Sequence, residues 1–314
     1  MKKITLAALV LAAFAASAHA QSNVTVYGVV DLGFAKTTGK TLVERENHAS
    51  RLGFRGVEDL GNGLSAIFNL ESEILADTGA QKGVLFERQA NVGLKGAFGT
   101  VIMGRTKNIV DGAQGRVEPF AADGVVGKVN EALMRVGVSS SRVSNALTYT
   151  TPKFNGFAGQ AQYVLSEVNG ADAGFDLLAT YDQGPVSLHA GYERAAQLVA
   201  GPANPHMAVV GGGYKFGDLR LTGAYAKGDT DVAATGTYKG ALIGLNYTIG
   251  SGDVHAVVAR QTQSNNTFSN KETVREYGVG YDYHLSKRTD LYAYAGREKV
   301  AALTSYQLGL SHKF

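Results

Sequence analysis

The chain has 314 residues, 45% of them hydrophobic and 18% charged, with a formal charge of +3. This composition excludes a disordered tail, and so small and dispersed a charge excludes a nucleic-acid groove. Without Cys there is no disulfide framework, zinc finger or thiol nucleophile, whereas 40 Gly, 15 Tyr and 13 Phe beside 5 Pro suit many closely packed strands joined by turns.

Met1–Ala20 reads as a secretory signal peptide. Lys2 and Lys3 precede an apolar stretch from Leu6 to Ala16, and Ala18-His19-Ala20 forms a small-x-small cleavage site. The stretch is shorter than the roughly 20 apolar residues a membrane helix needs. Removing 20 of 314 residues leaves 294, and losing both lysines lowers the formal charge from +3 to +1. No later segment is apolar for a helical span.

From residue 21 on, the dominant pattern is alternation, the mark of strands with two unlike faces. On the second strand Arg51 and Arg55 share a face, with Leu52 and Phe54 on the other. The third carries Glu71 and Glu73. On the fourth, Gln89 and Asn91 fall on the outward parity, which reads as burial against a neighbouring subunit. Arg105 and Lys107 share a face on the fifth. Residues 108–140 form the longest connection, with apolar residues such as Val117, Phe120, Leu133 and Met134 able to pack it against a wall. Beyond it, Val143, Leu147 and Tyr149 alternate with Arg142, Ser144, Ala146 and Thr148, and further alternating runs begin at Phe157, Phe175 and Val186. The runs Gly211-Gly212-Gly213 and Gly278-Val279-Gly280 lie inside strands, where glycine eases curvature or close packing. Tyr306, Leu308, Leu310 and the terminal Phe314 share one face.

Short connections with turn chemistry alternate with longer polar ones, giving 16 strands, seven short turns and eight loops. About 18 residues per strand and connection suit strands that cross a bilayer at a tilt. The apolar face repeatedly ends in an aromatic beside a turn, as at Tyr149, Phe157, Tyr181, Tyr214 and Tyr247, like the girdle of a membrane barrel. The other face is too polar for a dry core and suits a water-filled lumen. The expected fold is all-β, a 16-stranded antiparallel transmembrane β-barrel spanning residues 21–314, with both termini on the periplasmic side.

Several stretches in order carry a resemblance: VTVYGVVD at 24–31, SRLGFRGVEDLG at 50–61, RQANVGL at 88–94, FGTV at 98–101 with Met103-Gly104-Arg105, and the closing GLSHKF at 309–314. Together they resemble the general trimeric porins of Gram-negative outer membranes, in particular the β-proteobacterial branch. The resemblance implies a passive homotrimeric channel whose third extracellular loop, residues 108–140, folds into the lumen and narrows it. It implies an acidic constriction turn at Glu118-Pro119-Phe120, with Asp111 and Asp123 as further loop acids. It aligns Arg88 and Arg142 with the lumen arginines of the porin wall. Arg51, Arg55, Arg105 and Lys107 complete the expected cationic side, and Asp31, Glu71 and Glu73 a rim. An arginine facing lipid near the midplane costs about 2–4 kcal/mol, so arginines at membrane depth should point inward. Phe314 is expected to be the C-terminal signal read by the barrel-assembly machinery, in a membrane of lipid and lipopolysaccharide.

The function expected is diffusion of small hydrophilic solutes and ions, with weak anion preference and no cofactor or metal. A substrate-specific channel is the alternative, because Tyr292 and Tyr294 could begin an aromatic track that a girdle explains equally well. Enzymatic signatures are absent: there is no Gly-x-Ser-x-Gly and no His-Glu-x-x-His. An adhesin would carry much longer loops.

Overall fold

A computed structural model describes residues 23–120, 124–126 and 140–314. The segment 1–20, Asp123, Leu133 and Met134 lie outside these. Sixteen strands form the wall. The first eight are β1 Asn23–Thr37, β2 Arg51–Gly61, β3 Leu64–Leu75, β4 Gln89–Gly96, β5 Gly99–Lys107, β6 Arg142–Thr150, β7 Phe157–Val164 and β8 Gly174–Gln183. The others are β9 Val186–Arg194, β10 His206–Phe216, β11 Leu219–Asp229, β12 Thr237–Ile249, β13 Gly252–Ser264, β14 Lys271–His284, β15 Thr289–Glu298 and β16 Leu303–Lys313. Two short strands, Val43–Arg45 and Ala80–Gln81, lie within loops, and one helix, α1 Ile109–Gln114, follows β5.

Every strand pairs antiparallel with its sequence neighbour, and β1 closes the ring on β16 from Val29↔Lys313 to Thr37↔Ser305. Gly28 and Phe314 exchange both backbone hydrogen bonds at 3.1 Å. The Phe314 ring occupies the space a Gly28 side chain would need. Closure leaves no sheet edge for another chain to pair with. The two-residue turn after β2 has Asn62 at φ 53° and Gly63 at φ 74°, the positive pair that a type I′ hairpin turn demands.

The two faces invert the usual burial rule. Outward positions are apolar and exposed: Ile243 at 71%, Leu308 at 62% and Phe157 at 60%. Inward positions include Asp31, Gln162, Asp176, Glu193 and Glu276, each 2% exposed or less. So large an exposed apolar band marks a surface made for lipid or another subunit.

Register corrects two expectations. Gln89 pairs with Glu71 and Asn91 with Asn69, so both belong to the inward parity, while Ala90, Val92 and Leu94 face out. Their polarity is a property of the interior and not of a subunit contact. The β5–β6 ladder slips between Gly104 and Thr106, with Asn145 at φ 56° opposite the slip. This bulge changes the parity of the loop-side end of β6. On β5 Arg105 keeps the outward parity of Met103, pairing with Ala90, whereas Arg142, paired with Lys107, does not share the inward parity of Ala146 and Thr148.

Candidate functional site

The connection after β5 begins with a cap. Asn108 Oδ1 accepts from the amides of Val110 at 2.8 Å and Asp111 at 3.0 Å, which starts α1. Ile109, Val110 and Ala113 are buried, and the helix packs on β7, β8 and β9. Val117, Phe120 and Val126 then join one apolar cluster with Met207, Leu242, Val257 and Tyr294 of β10, β12, β13 and β15. Phe120 meets Tyr294 edge-on at 5.2 Å and His255 at 5.6 Å. Thr222 Oγ1 donates to the Val117 carbonyl at 2.6 Å, and Arg220 Nη2 to that of Arg116 at 2.7 Å.

Glycines make room for this segment. A Cβ on Gly244 would sit 2.7 Å from Pro119, and one on Gly278 2.3 Å from Val126. These are inward positions of β12 and β14, and the sequence pattern singles out only Gly278, for curvature or close packing. The described part of the connection thus runs along the inward parity from β7 to β15. No described member of that apolar cluster comes from β2, β3 or β4.

That wall carries the arginines. Arg51 and Arg55 lie on the inward parity of β2, opposite Glu73 and Asn69 of β3. Arg51 Nη1 donates to the Ala49 carbonyl at 3.2 Å, and the Arg55 guanidinium lies 5.0 Å from the centre of the Tyr27 ring. Arg142 donates to the carbonyls of Arg88 and Ser141, both at 3.0 Å. None of these three forms an ion pair among the described residues.

Arg88 is different. Its Nε is 2.6 Å from Glu71 Oε1 and its Nη1 2.7 Å from Glu73 Oε2. Burial opposes its charge, but hydrogen bonds and attraction from Glu71 and Glu73 outweigh burial and leave its pKa raised. Lys82, in the following loop, is held above its ordinary pKa chiefly by a 2.5 Å hydrogen bond to the same Glu73. Glu71 and Glu73 therefore neutralise cations and do not form a separate acidic rim. Replacing Arg88 by Met should strand both carboxylates and lower stability by about 2–3 kcal/mol, somewhat less than for a dry ion pair. Thermal unfolding followed by circular dichroism checks this. Adding Glu71→Gln and Glu73→Gln should restore most of the loss, and no recovery would contradict the pairing.

Other expected site residues fall elsewhere. Asp31 is fully buried and accepts from Tyr292 Oη and the Asn47 amide, both at 2.8 Å, so it braces the closure and not a rim. Tyr292 and Tyr294 are buried inward, at 2% and 5% exposure, which excludes both the girdle and a solute track. Glu118 is buried, and its Oε1 accepts from the Phe120 amide at 2.8 Å, holding the turn. Asp111 lies 3.8 Å from Lys107 at the entrance to the connection. Arg105 bonds the Glu87 carbonyl and Ser144 Oγ, beside the Arg88 carbonyl that Arg142 bonds. Two cations were not anticipated. Arg116 pairs with Asp182 of β8, and Arg220 bonds the Arg116 carbonyl. Strict alternation of Arg220 between Leu219 and Leu221 is the signal that marks it.

Residues 6–302 match the family described as Gram-negative porin. An outer membrane porin protein of Bordetella pertussis is 31% identical, covering 100% of both chains. Outer membrane porin protein 32 of Delftia acidovorans is 32% identical over 93% of this chain and 88% of its own. Among solved structures, an anion-selective porin from Comamonas acidovorans superposes with a TM-score of 0.79 at 27% identity, covering 94% of this chain and all of that one. A Vibrio cholerae outer membrane protein in trimer form shares the fold, with a TM-score of 0.74 at 16% identity, over 93% of this chain and 99% of its own.

Proposed function

Because this chain belongs to the Gram-negative porin family, we propose that it is a passive outer-membrane channel whose aperture lies between residues 108–120 and 124–126 and the arginine-bearing wall of β2. The observation that carries this reading is the contact of Val117, Phe120 and Val126 with the inward faces of β10 to β15. Small hydrated solutes would pass the remaining space without an energy source. Arg51 and Arg55 form no ion pair among the described residues while Arg88 is neutralised, so the fixed field on that side is positive and favours anions. The anion-selective relative from Comamonas acidovorans supports the same sign. Single-channel recording tests the proposal. Conductance should rise in proportion to salt, and a current that saturates with one solute would indicate the substrate-specific alternative.

A homotrimer is part of this reading. Outward positions on β1 to β5 include Val26, Phe34, Leu52, Phe54, Val92 and Met103, without one tyrosine. From β6 onward outward tyrosines recur, as at Tyr149, Tyr192, Tyr214 and Tyr247. A face without interfacial tyrosines suits a subunit contact, and the Vibrio cholerae fold relative occurs as a trimer. Unheated detergent samples should migrate near three times the monomer mass and collapse to one on heating; a monomer in every mild detergent would contradict this. Export with cleavage after Ala20, and recognition of Phe314 during barrel assembly, complete the proposal.

A further inference from the structure

The seam where β1 meets β16 holds a group of polar side chains that the closure alone does not satisfy. Asp31 of β1, Asn47 of the first loop, and Gln307 and Ser311 of β16 are each 3% exposed or less. Asp31 Oδ2, Gln307 Oε1, Ser311 Oγ and Asn47 Nδ2 all lack a hydrogen-bond partner. The four residues are nevertheless joined to one another. Asp31 and Ser311 are cross-strand partners. Tyr292 Oη of β15 donates to Asp31 Oδ1 at 2.8 Å and accepts from Gln307 Nε2 at 3.4 Å. The Asn47 backbone amide donates to the same Asp31 oxygen at 2.8 Å.

The bonds that are made single out the oxygens that are not. Gln307 Nε2 also donates to the Arg45 carbonyl at 3.1 Å, which fixes the amide and leaves its oxygen as the open acceptor. Ser50 Oγ exchanges hydrogen bonds with the backbone of Asp31, both at 3.0 Å, so what remains of Asp31 is Oδ2. No cation among the described residues pairs with this carboxylate. Asp290 of β15, the other neighbour of Ser311, is itself an acid, and it engages His284 at 2.7 Å and Lys313 at 3.9 Å. A buried carboxylate without a countercharge is strongly unfavourable. A proton on Oδ2 removes the charge but can bond only one of the two other oxygens, whereas a cation meets all three. Oxygens that share a small hard cation at about 2.4 Å stand up to about 5 Å apart, too far to bond each other.

We propose that Asp31 Oδ2, Gln307 Oε1 and Ser311 Oγ bind one sodium ion, with water completing its shell and accepting from Asn47 Nδ2. The donor set selects the ion. Oxygen ligands alone disfavour soft metals, and a single carboxylate balances one positive charge, whereas calcium leaves an excess in a buried site. The ion lies beside the 124–126 stretch, because a Cβ on Gly124 would meet Asn47 Oδ1 and stand 3.1 Å from Gln307 Oε1. It therefore joins the closing seam, the first loop and the connection that follows β5. The site does not depend on whether the lumen conducts, so its failure leaves the channel reading untouched.

Thermal unfolding of the detergent-solubilised full-length protein near neutral pH, followed by circular dichroism, tests this. Sodium chloride should raise the midpoint by about 3 °C over N-methylglucamine chloride at equal ionic strength, and the rise should saturate. Asp31→Asn keeps an acceptor for Tyr292 and Asn47 without the charge, so it should fold and lose the sodium response. Ser311→Ala leaves the carboxylate in place and should raise the sodium concentration needed about fivefold. Equal midpoints of the unaltered protein in the two salts overturn the proposal. A sodium response that survives Asp31→Asn, or is unchanged in Ser311→Ala, does the same. A midpoint that rises as pH falls and ignores sodium assigns a proton to Oδ2 and also overturns it. A larger shift with calcium chloride at equal ionic strength overturns the choice of a monovalent ion.

Discussion

Replacing Arg51 and Arg55 together with Ala should lower the anion-to-cation permeability ratio about fivefold at low salt. A unit charge about 6 Å from a passing ion in water contributes roughly 0.7 kcal/mol, or about threefold in relative occupancy. Two such charges act on one section, and partial screening by the lumen reduces their product. The shift should shrink as salt shortens the Debye length from about 10 Å at 0.1 M to about 3 Å at 1 M. Reversal potentials in a salt gradient measure it, and conductance should rise slightly as the opening widens. Unchanged selectivity in the double variant would mean that these side chains do not face the narrow section. The paired Arg88 is left in place because its removal would expose two carboxylates and confuse selectivity with stability.

Phe120→Ala should release the segment that packs against the inward faces of β10 to β15. Phe120 is 3% exposed, and truncating a buried Phe costs about 3–5 kcal/mol. The barrel itself is held by its ladders, so the loss falls on the local attachment of the loop. Larger and noisier single-channel currents are expected, with little change in barrel unfolding temperature. Gly278→Leu should act in the same direction, since its side chain would displace Val126 and crowd Phe120 from the wall side. If both variants conduct like the unaltered protein, the segment does not set the aperture.

Much of the fold is legible because a barrel has two unlike faces and a regular rhythm of turns. Alternation from Phe157 to Val164 and from Val186 to Arg194 assigns each residue to the face it occupies, and turn chemistry yields the sixteen strands. What escapes is parity wherever the local rule is interrupted. The bulge at Asn145 reverses the assignment of Arg142, and a one-residue slip in reading β4 turns Gln89 and Asn91 to the wrong side. The inward face also serves two purposes. Asp31 and Glu118 look like lumen carboxylates in the sequence, and Tyr292 and Tyr294 like a track or a girdle, yet all four are buried braces of the closure and of the loop seat. Ion pairing is invisible too: the sequence shows Arg88 among the arginines, but only cross-strand register brings Glu71 and Glu73 onto it. The glycines Gly244 and Gly278 acquire their meaning only from what approaches them.

The reversal potential of the unaltered protein, in a planar bilayer with about a tenfold potassium chloride gradient at low ionic strength, tests the central claim most directly. The account predicts a potential displaced toward the chloride equilibrium value, with the displacement shrinking as both solutions approach about 1 M. A potential displaced toward the potassium value across that range would contradict it.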